Sequence, residues 1–205
     1  MIYQHVHISR SNQKLGAGIP SVNLPPCTSC RQNAPCYDKC YARKGHFVFK
    51  NVRNAMAENF AIWKNEPERY ESDLKIAAWP SRFFRFHSAG DIPDAAYLSM
   101  MVRIANELPQ THFLAFTKQY ELVNAYISAH GPFPTNLSIV LSAWGDSFMP
   151  ENPHNLPVAY VQLKDKPCTI PDDALQCSGY CGNCVHGKKN CWTLKSGESV
   201  CFKEH

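Results

Sequence analysis

The chain has 205 residues, of which 44% are hydrophobic and 19% are charged, and its formal net charge at pH 7 is +4. A chain of this length is typical of one domain, here predicted over residues 1–205, and buries about 70% of its unfolded surface without needing disulfides. The composition excludes a disordered chain. No apolar run approaches the roughly 20 residues that cross a bilayer, so we expect no membrane association.

The small net charge permits an anionic partner but lacks the strongly basic footprint of a dedicated nucleic-acid binder. The first ten residues have neither the basic nor the long apolar region of a signal peptide. We therefore expect a cytoplasmic protein, and in that reducing compartment clustered cysteines are more typical of metal or redox sites than of disulfides.

The apolar periodicity predicts strands that alternate with helices. The predicted strands cover residues 2–9, 82–87, 111–117, 137–142 and 158–163, and the predicted helices cover 47–65, 68–79, 94–108 and 120–130. Strand and helix alternation favours parallel pairing with right-handed crossovers, and five strands are too few to close an eight-stranded barrel. The sequence therefore predicts an α/β fold, an open partial (β/α) barrel of parallel strands with Cys-rich loops at both ends. The barrel is expected over about residues 1–165, and a Cys-rich metal-binding segment over about 166–205.

Eight of the ten cysteines fall into two groups. We call Cys27, Cys30, Cys36 and Cys40 the first thiol set, and Cys177, Cys181, Cys184 and Cys191 the second thiol set. Four thiolates from one chain can hold a tetrahedral metal or an iron–sulfur cluster, because sulfur is the ligand that iron and zinc accept in such sites. Cys168 and Cys201 lie outside both sets and are predicted to be partly buried free thiols.

The spacing within the sets bears on which metal they bind. Only Cys27/Cys30 and Cys181/Cys184 have the Cys-x2-Cys form of a zinc knuckle, and irregular gaps follow each pair. A cluster held by a wrapping loop tolerates such gaps, which favours one or two 4Fe-4S clusters over zinc. The two sets could instead share one centre beside a mononuclear iron or zinc.

Polar residues follow the central strands, at the strand ends where such folds place their chemistry. His87 and Asp91 are candidates for an acid/base or substrate-binding pair, and Lys118 for holding an anion. Trp144 is a candidate for lining the pocket. The alternatives are a hydrogen-bonded core histidine for His87, a cap or turn former for Asp91, and rim packing for Trp144.

Four motifs resemble the phage "gene product 88" family across about Asn23 to Trp192. They are residues 34–45 (APCYDKCYARKG), 85–91 (RFHSAGD), 113–118 (FLAFTK) and 141–145 (LSAWG). The resemblance implies host-cell cytoplasm as the location of a phage-encoded protein.

The chain is also distantly similar to radical S-adenosylmethionine enzymes. That similarity implies cofactor binding by Ser88, Gly90 and Asp91, with Asp91 on the methionine amino group. The enzymes' Cys-x3-Cys-x2-Cys loop is matched at Cys36 and Cys40, but Arg43 stands where its third cysteine would be. With four cysteines in each set, electron transfer or a structural role is favoured over cofactor cleavage.

Three functional hypotheses follow. The first is an iron–sulfur protein in redox chemistry or electron transfer, with an unknown redox partner or small-molecule substrate. The second is a zinc-stapled module that binds nucleic acid or protein through basic residues beside the thiols, namely Arg31, Lys39, Arg43, Lys44, Lys188 and Lys189. The third is a radical S-adenosylmethionine-like enzyme that uses Asp91.

Overall fold

The structure, a computed structural model, describes residues 5–32, 34–164, 168–187 and 189–203. The strands are β1 (Ile8–Ser9), β2 (Ser21–Val22), β3 (Phe83–Phe86), β4 (His112–Thr117), β5 (Leu137–Ser142), β6 (Val158–Gln162), β7 (Leu175–Gln176) and β8 (Ser199–Lys203). The α-helices are α1 (Lys50–Asn65), α2 (Pro67–Ala78), α3 (Ala95–Glu107), α4 (Tyr120–His130) and the single turn α5 (Cys181–Cys184). Short 3-10 helices cover Tyr41–Arg43, Gly45–Val48 and Cys191–Thr193.

All eight strands form one open sheet in the order β1-β2-β3-β4-β5-β6-β8-β7. Every neighbouring pair is parallel except β1 and β2, which are antiparallel. The predicted α/β class with a mainly parallel sheet is thus confirmed. The predicted number of five strands is wrong, because β2, β7 and β8 were not recognised.

The first predicted strand is also corrected by the structure. Within the described part of residues 2–9, only Ile8–Ser9 is a strand, and it pairs antiparallel with β2. Residues 2–4 of that prediction lie outside the described residues. The predicted break before the second helix is confirmed, since Pro67 is the first residue of α2. Asp94 caps α3 as predicted, because its Oδ1 accepts a hydrogen bond from the Tyr97 backbone N–H at 2.9 Å.

One face of the sheet packs against helices α1 to α4, and we call it the helical face. Its core includes Phe84, Phe86, Phe113, Ile139 and Leu141, all 1% exposed or less. Because side chains alternate along a strand, the residues between these point to the opposite face.

That opposite face, which we call the thiol face, is covered by chain from both ends. Phe83, Leu114 and Val140 of the sheet pack there against a buried group that includes Leu15, Cys181 and Trp192. Trp192 anchors the C-terminal part, because its Nε1–H donates a hydrogen bond to the Phe84 carbonyl at 3.0 Å. The C-terminal segment therefore completes the core as well as adding β7 and β8 to the sheet. Within the described residues, no helix is long and apolar enough to cross a membrane.

Candidate metal centre

The first thiol set begins five residues after β2, and the loop that contains it is tied to the loop after β3. The side-chain oxygen of Asn23 accepts hydrogen bonds from the backbone N–H groups of Ser88 and Ala89, at 2.7 and 3.0 Å. The hydroxyl of Ser29 accepts one from the backbone N–H of Asp91 at 3.1 Å. Ser88 and Asp91, predicted as cofactor-binding residues, thus position the cysteine loop through their backbones.

Gly90, the third residue of that motif, lies in close contact with the cysteine loop. Its φ of +86° is in the left-handed region, and a Cβ atom there would lie 2.7 Å from both the Leu24 carbonyl oxygen and the Ser29 hydroxyl. Only glycine combines this backbone conformation with this clearance. The motif therefore sets how closely the first thiol set approaches the end of β3.

The thiols of the first set are free. Burial raises the pKa of the Cys30 thiol to about 12, with smaller contributions from the charges of Asp91, Cys40 and Cys27. Burial also raises the pKa of Cys40, to which the thiols of Cys36 and Cys27 contribute. Cys40 therefore lies within electrostatic range of the other three thiols of the set.

The second thiol set starts at the carboxyl end of β7 and continues through α5. The backbone N–H of Cys181 donates to the Lys14 carbonyl at 2.7 Å, which ties α5 to the N-terminal loop. Cys191 begins the last 3-10 helix, and its carbonyl accepts a hydrogen bond from the Ser138 hydroxyl of β5 at 3.0 Å. These bonds hold the set against the thiol face.

The thiols of the second set also lie within electrostatic range of one of their number, Cys191, and two of them make polar contacts. Burial raises the pKa of Cys191 to about 12, with Arg85 opposing and the other three thiols of the set adding to the rise. The backbone N–H of Gly179 donates to the Cys177 sulfur at 3.4 Å, and the Ser178 hydroxyl lies 3.2 Å from the Cys184 sulfur. Among the residues that the structure describes, however, no three Cys, His, Asp or Glu side chains already form a metal-binding group. The sulfurs are gathered but do not stand at ligand distances.

A half-buried arginine of β3 lies beside the second set. The Nε–H of Arg85 donates to the carbonyls of Phe86 and His87, both at 3.2 Å, and its guanidinium lies 4.4 Å from the centre of the Phe116 ring. Burial lowers the pKa of Arg85. Nearby groups act against that change, namely the Tyr41 hydroxyl and the thiols of Cys181, Cys191 and Cys177. The described arginine ion pairs are those of Arg31, Arg69 and Arg103, so no described carboxylate neutralises Arg85.

Tyr41 connects this arginine to the first set. The residue is 56% exposed, and its hydroxyl donates to the carbonyl of Ser88. Burial raises the pKa of Tyr41 to about 12; the charge of Arg85 opposes this, and Cys40 and Cys30 contribute to it. Tyr41 therefore lies within electrostatic range of both Arg85 and the first set. The two sets pack in different places, because Cys40 packs in a buried group with Val52 and Met56 of α1, whereas the second set packs on the thiol face.

In a comparison with protein families, the profile of the family described as Gene product 88 matches residues 6–201. The chain belongs to the Gene product 88 family. The predicted family resemblance is thereby confirmed across nearly the whole chain. No curated protein matches the chain, and no solved structure does. The similarity to radical S-adenosylmethionine enzymes is not shown by these comparisons.

In this Gene product 88 chain, three of the predicted strand-end residues meet. Asp91 is buried; its Oδ1 accepts a hydrogen bond from the Thr117 hydroxyl at 2.6 Å, and its Oδ2 accepts one from the Lys118 backbone N–H at 2.9 Å. Burial raises the pKa of Asp91, and these hydrogen bonds oppose the rise. The Lys118 ammonium lies 5.5 Å from the centre of the Trp144 ring. The structure thus groups Asp91, Lys118 and Trp144, and their predicted roles stay predictions.

The contacts of the His87 ring that the structure describes lie on the helical face of the sheet. Its Nε2 lies 3.0 Å from the hydroxyl of Tyr97, which in turn lies 3.0 Å from the hydroxyl of Tyr70. The ring packs against Phe86 and Tyr97, and its buried Nδ1 has no hydrogen-bond partner among the described residues. Its predicted acid/base role stays a prediction, but the structure does not bring its ring to Lys118 or Trp144 through any described contact.

Two of the basic residues of the nucleic-acid hypothesis form ion pairs. Arg31 pairs with Glu121 at 2.8 Å and Lys189 with Glu198 at 3.0 Å, while Lys188 lies outside the described residues. These ion pairs reduce the positive charge that is free for phosphates.

Sequence reasoning missed Arg85, Tyr41 and the neighbourhood of Cys201. The backbone N–H of Cys177 donates to the Cys201 carbonyl at 2.9 Å, which places that buried thiol beside the second set. The pattern Phe-Phe-Arg-Phe could have indicated Arg85, because a charge within an apolar strand must face a partner.

Proposed function

We propose that this protein binds iron–sulfur clusters, one in each thiol set, and acts in electron transfer or redox chemistry. The observation that supports this most is that the chain contains two groups of four free cysteines, and that thiols within each group lie close enough to affect one another's ionisation. We also propose that the protein is located in the cytoplasm, because that reducing compartment keeps cysteines free.

The number and type of the side chains match such a cofactor, and the sulfurs of each set would have to approach one another to reach ligand distances. Each set supplies four sulfurs, which is the number that a 4Fe-4S cluster requires. The contacts of Gly179 and Ser178 with sulfurs of the second set are of the kind that tune a cluster's potential. When bound, the cluster supplies one-electron redox chemistry.

The chain's own residues would enclose and hold that cofactor. Burial raises the pKa of Cys30 and of Cys191, so these two thiols would release protons when a cofactor is loaded at neutral pH. We further propose that the sheet curves as a partial barrel around the two sets.

Zinc is the competing occupant and would make the chain a stapled binding module. Sulfur suits zinc equally well, and the Cys181–Cys184 pair on one helical turn is compatible with a zinc knuckle. The iron–sulfur proposal takes precedence because the basic residues that such a module would use are partly paired. The radical S-adenosylmethionine hypothesis ranks third, since both Asp91 oxygens already accept hydrogen bonds from the chain.

The test is purification without oxygen, followed by analysis of iron, zinc and acid-labile sulfide and by absorption and electron paramagnetic resonance spectra. We expect a brown protein with iron and sulfide in equal amounts and a paramagnetic signal after reduction. A colourless protein that contains zinc and no sulfide would instead support the stapled module. Binding and cleavage of S-adenosylmethionine by the reduced protein would favour the third hypothesis.

A further inference from the structure

The positive charge of the chain is concentrated in residues 37–53, which we call the basic segment. It contains five lysine and arginine residues and one acidic residue, Asp38, and the resulting +4 equals the formal net charge of the whole chain. All five basic side chains are exposed, namely Lys39, Arg43, Lys44, Lys50 and Arg53. The remainder of the chain is therefore neutral overall, and its excess charge stands at one place on the surface.

These five charges are not neutralised within the molecule. In the part of the chain that the structure describes, none of the five forms an ion pair. Six described lysine and arginine residues elsewhere do, namely Arg31, Lys64, Arg69, Lys75, Arg103 and Lys189. The start of a helix favours acidic side chains, yet the first turn of α1 has none, and Lys50 and Arg53 stand among its first four residues. The stability of the chain alone gives no reason for this arrangement.

Packing beneath the basic segment holds its outward side chains on one surface. Ala42 and Met56 are buried in the same small group, so the two short 3-10 helices before α1 lie against the first turns of that helix. The side chains that leave this unit in the opposite direction are in solvent. Lys50 and Arg53, which are three residues apart on α1, are neighbours on the helix surface.

Exposed aromatic rings lie among these charges. Tyr37, Tyr41 and Phe49 are 44%, 56% and 61% exposed. The Arg43 guanidinium lies 5.5 Å from the centre of the Tyr37 ring, and the Tyr41 ring packs edge-on against that of Phe47. Rings interleaved with cations are the combination that binds a single strand of nucleic acid, because cations contact its phosphates and rings stack on its unpaired bases.

Other anionic partners fit this surface less well. A helix that binds membranes turns its apolar face to the lipid, whereas the apolar face of α1 is buried in the core through Ile62 and Trp63. An acidic protein would use the charges but leave the three exposed rings without a matching group. A duplex offers phosphates, but its bases are stacked on one another and are closed to the rings.

We propose that the basic segment is a binding surface for single-stranded nucleic acid, with phosphates on the five cations and bases on Tyr37, Tyr41 and Phe49. Such binding goes beyond the proposed function and requires no particular metal. DNA and RNA strands both present phosphates and free base faces, so the surface does not need one sugar. Cys40 packs against the same buried group as Ala42, which places a bound strand beside the first thiol set.

Binding is measured with the full-length protein, purified without oxygen, and fluorescein-labelled strands of about 20 thymidine or uridine nucleotides, by fluorescence anisotropy. Five phosphate contacts predict that the affinity falls about 100-fold between 50 and 200 mM salt. Lys44→Ala/Lys50→Ala/Arg53→Ala should reduce that fall to about tenfold. Phe49→Ala should weaken binding about tenfold and leave the salt dependence unchanged.

Matched controls alter the same kinds of side chain elsewhere. Arg10→Ala/Lys195→Ala/Lys203→Ala removes the same charge from three exposed residues outside the basic segment, and it should keep the wild-type salt dependence. Trp79→Ala removes an aromatic ring that is 66% exposed, and it should keep the wild-type affinity. Binding of either strand with these differences supports the proposal.

Several results would overturn the proposal. They are the absence of binding to both strands, equal losses in the two triple variants, and a duplex of the same length that binds as tightly as the single strand. Binding to phosphatidylserine vesicles but to neither strand would refute it in favour of a membrane surface. Iron and sulfide analysis of the same sample decides the proposed function separately, since a cluster protein that binds no strand would lose only this surface.

Discussion

Gly90 and Ser29 are in contact so close that a methyl group on Gly90 would lie 2.7 Å from the Ser29 hydroxyl. This contact joins the loop after β3 to the loop of the first thiol set, although the two residues are far apart in sequence. The Ser-Ala-Gly-Asp motif therefore acts here first as a support for the cysteine loop.

Gly90→Ala should destabilise the protein more than a Gly→Ala substitution at a position that has a similar φ but no neighbouring atoms. A left-handed φ costs alanine about 1 to 2 kcal/mol at either site, and overpacking adds about 1 to 3 kcal/mol at Gly90 alone. Gly18, with a φ of +82° and no atom within 4 Å of the position that a methyl group would occupy, is the matched control. The free energy of unfolding, from urea denaturation, checks this; equal losses for Gly90→Ala and Gly18→Ala would refute the close contact.

His87 should make stability depend on pH. Burial lowers its pKa to about 3, and the charge of Arg85 adds to the effect. The unfolded chain binds a proton at His87 below about pH 6.5, whereas the folded chain does so only near pH 3. Its contribution to the free energy of unfolding is therefore complete above about pH 6.5. As the pH falls towards 3 that contribution is lost, by at most about 1.4 kcal/mol per pH unit.

The measurement is the free energy of unfolding between pH 3.5 and 7 for wild type and for His87→Asn, a residue that tolerates the left-handed backbone of this site. The variant should show a flatter pH profile. His130→Asn, which alters an exposed histidine at the end of α4, should keep the wild-type profile. Parallel profiles for wild type and His87→Asn would contradict the placement of a neutral, enclosed His87.

Trp192 should matter for the second thiol set but not for the first. Trp192→Phe removes the N–H that bonds the Phe84 carbonyl, at a cost of about 1 to 3 kcal/mol, and leaves space next to Cys191. We expect a lower free energy of unfolding for the protein. We also expect metal to be lost from the second set and kept by the first. Trp79→Phe is the control, since Trp79 is 66% exposed, and it should change neither property. Metal loss that is equal in both sets would argue against Trp192 as a local anchor.

Some of this fold could be predicted because its elements are long and patterned. The apolar run of β5 and the helical spacing of α1 and α3 specify buried elements without tertiary information. Strands β2 and β7 have two residues each, too few for any periodicity, so their pairing with long neighbours is visible only in the structure.

The site was predictable in part for a related reason. Clustered cysteines are conspicuous in a sequence, whereas the environment of Arg85 arises from residues distant along the chain. The hydrogen bond between Asp91 and Thr117 likewise joins two different strand ends. Sequence indicated the candidate ligands, whereas the groups that surround them are brought together only by packing.

The most direct test of the central claim is the iron and acid-labile sulfide content of anaerobically prepared wild type and of two cysteine double variants. Two clusters per chain predict that Cys36→Ser/Cys40→Ser and Cys181→Ser/Cys184→Ser each keep about half of the wild-type iron and sulfide. Cys168→Ser, outside both sets, should keep all of it. Wild-type protein that contains no sulfide, or loss of all iron on altering either set alone, would contradict two separate iron–sulfur centres.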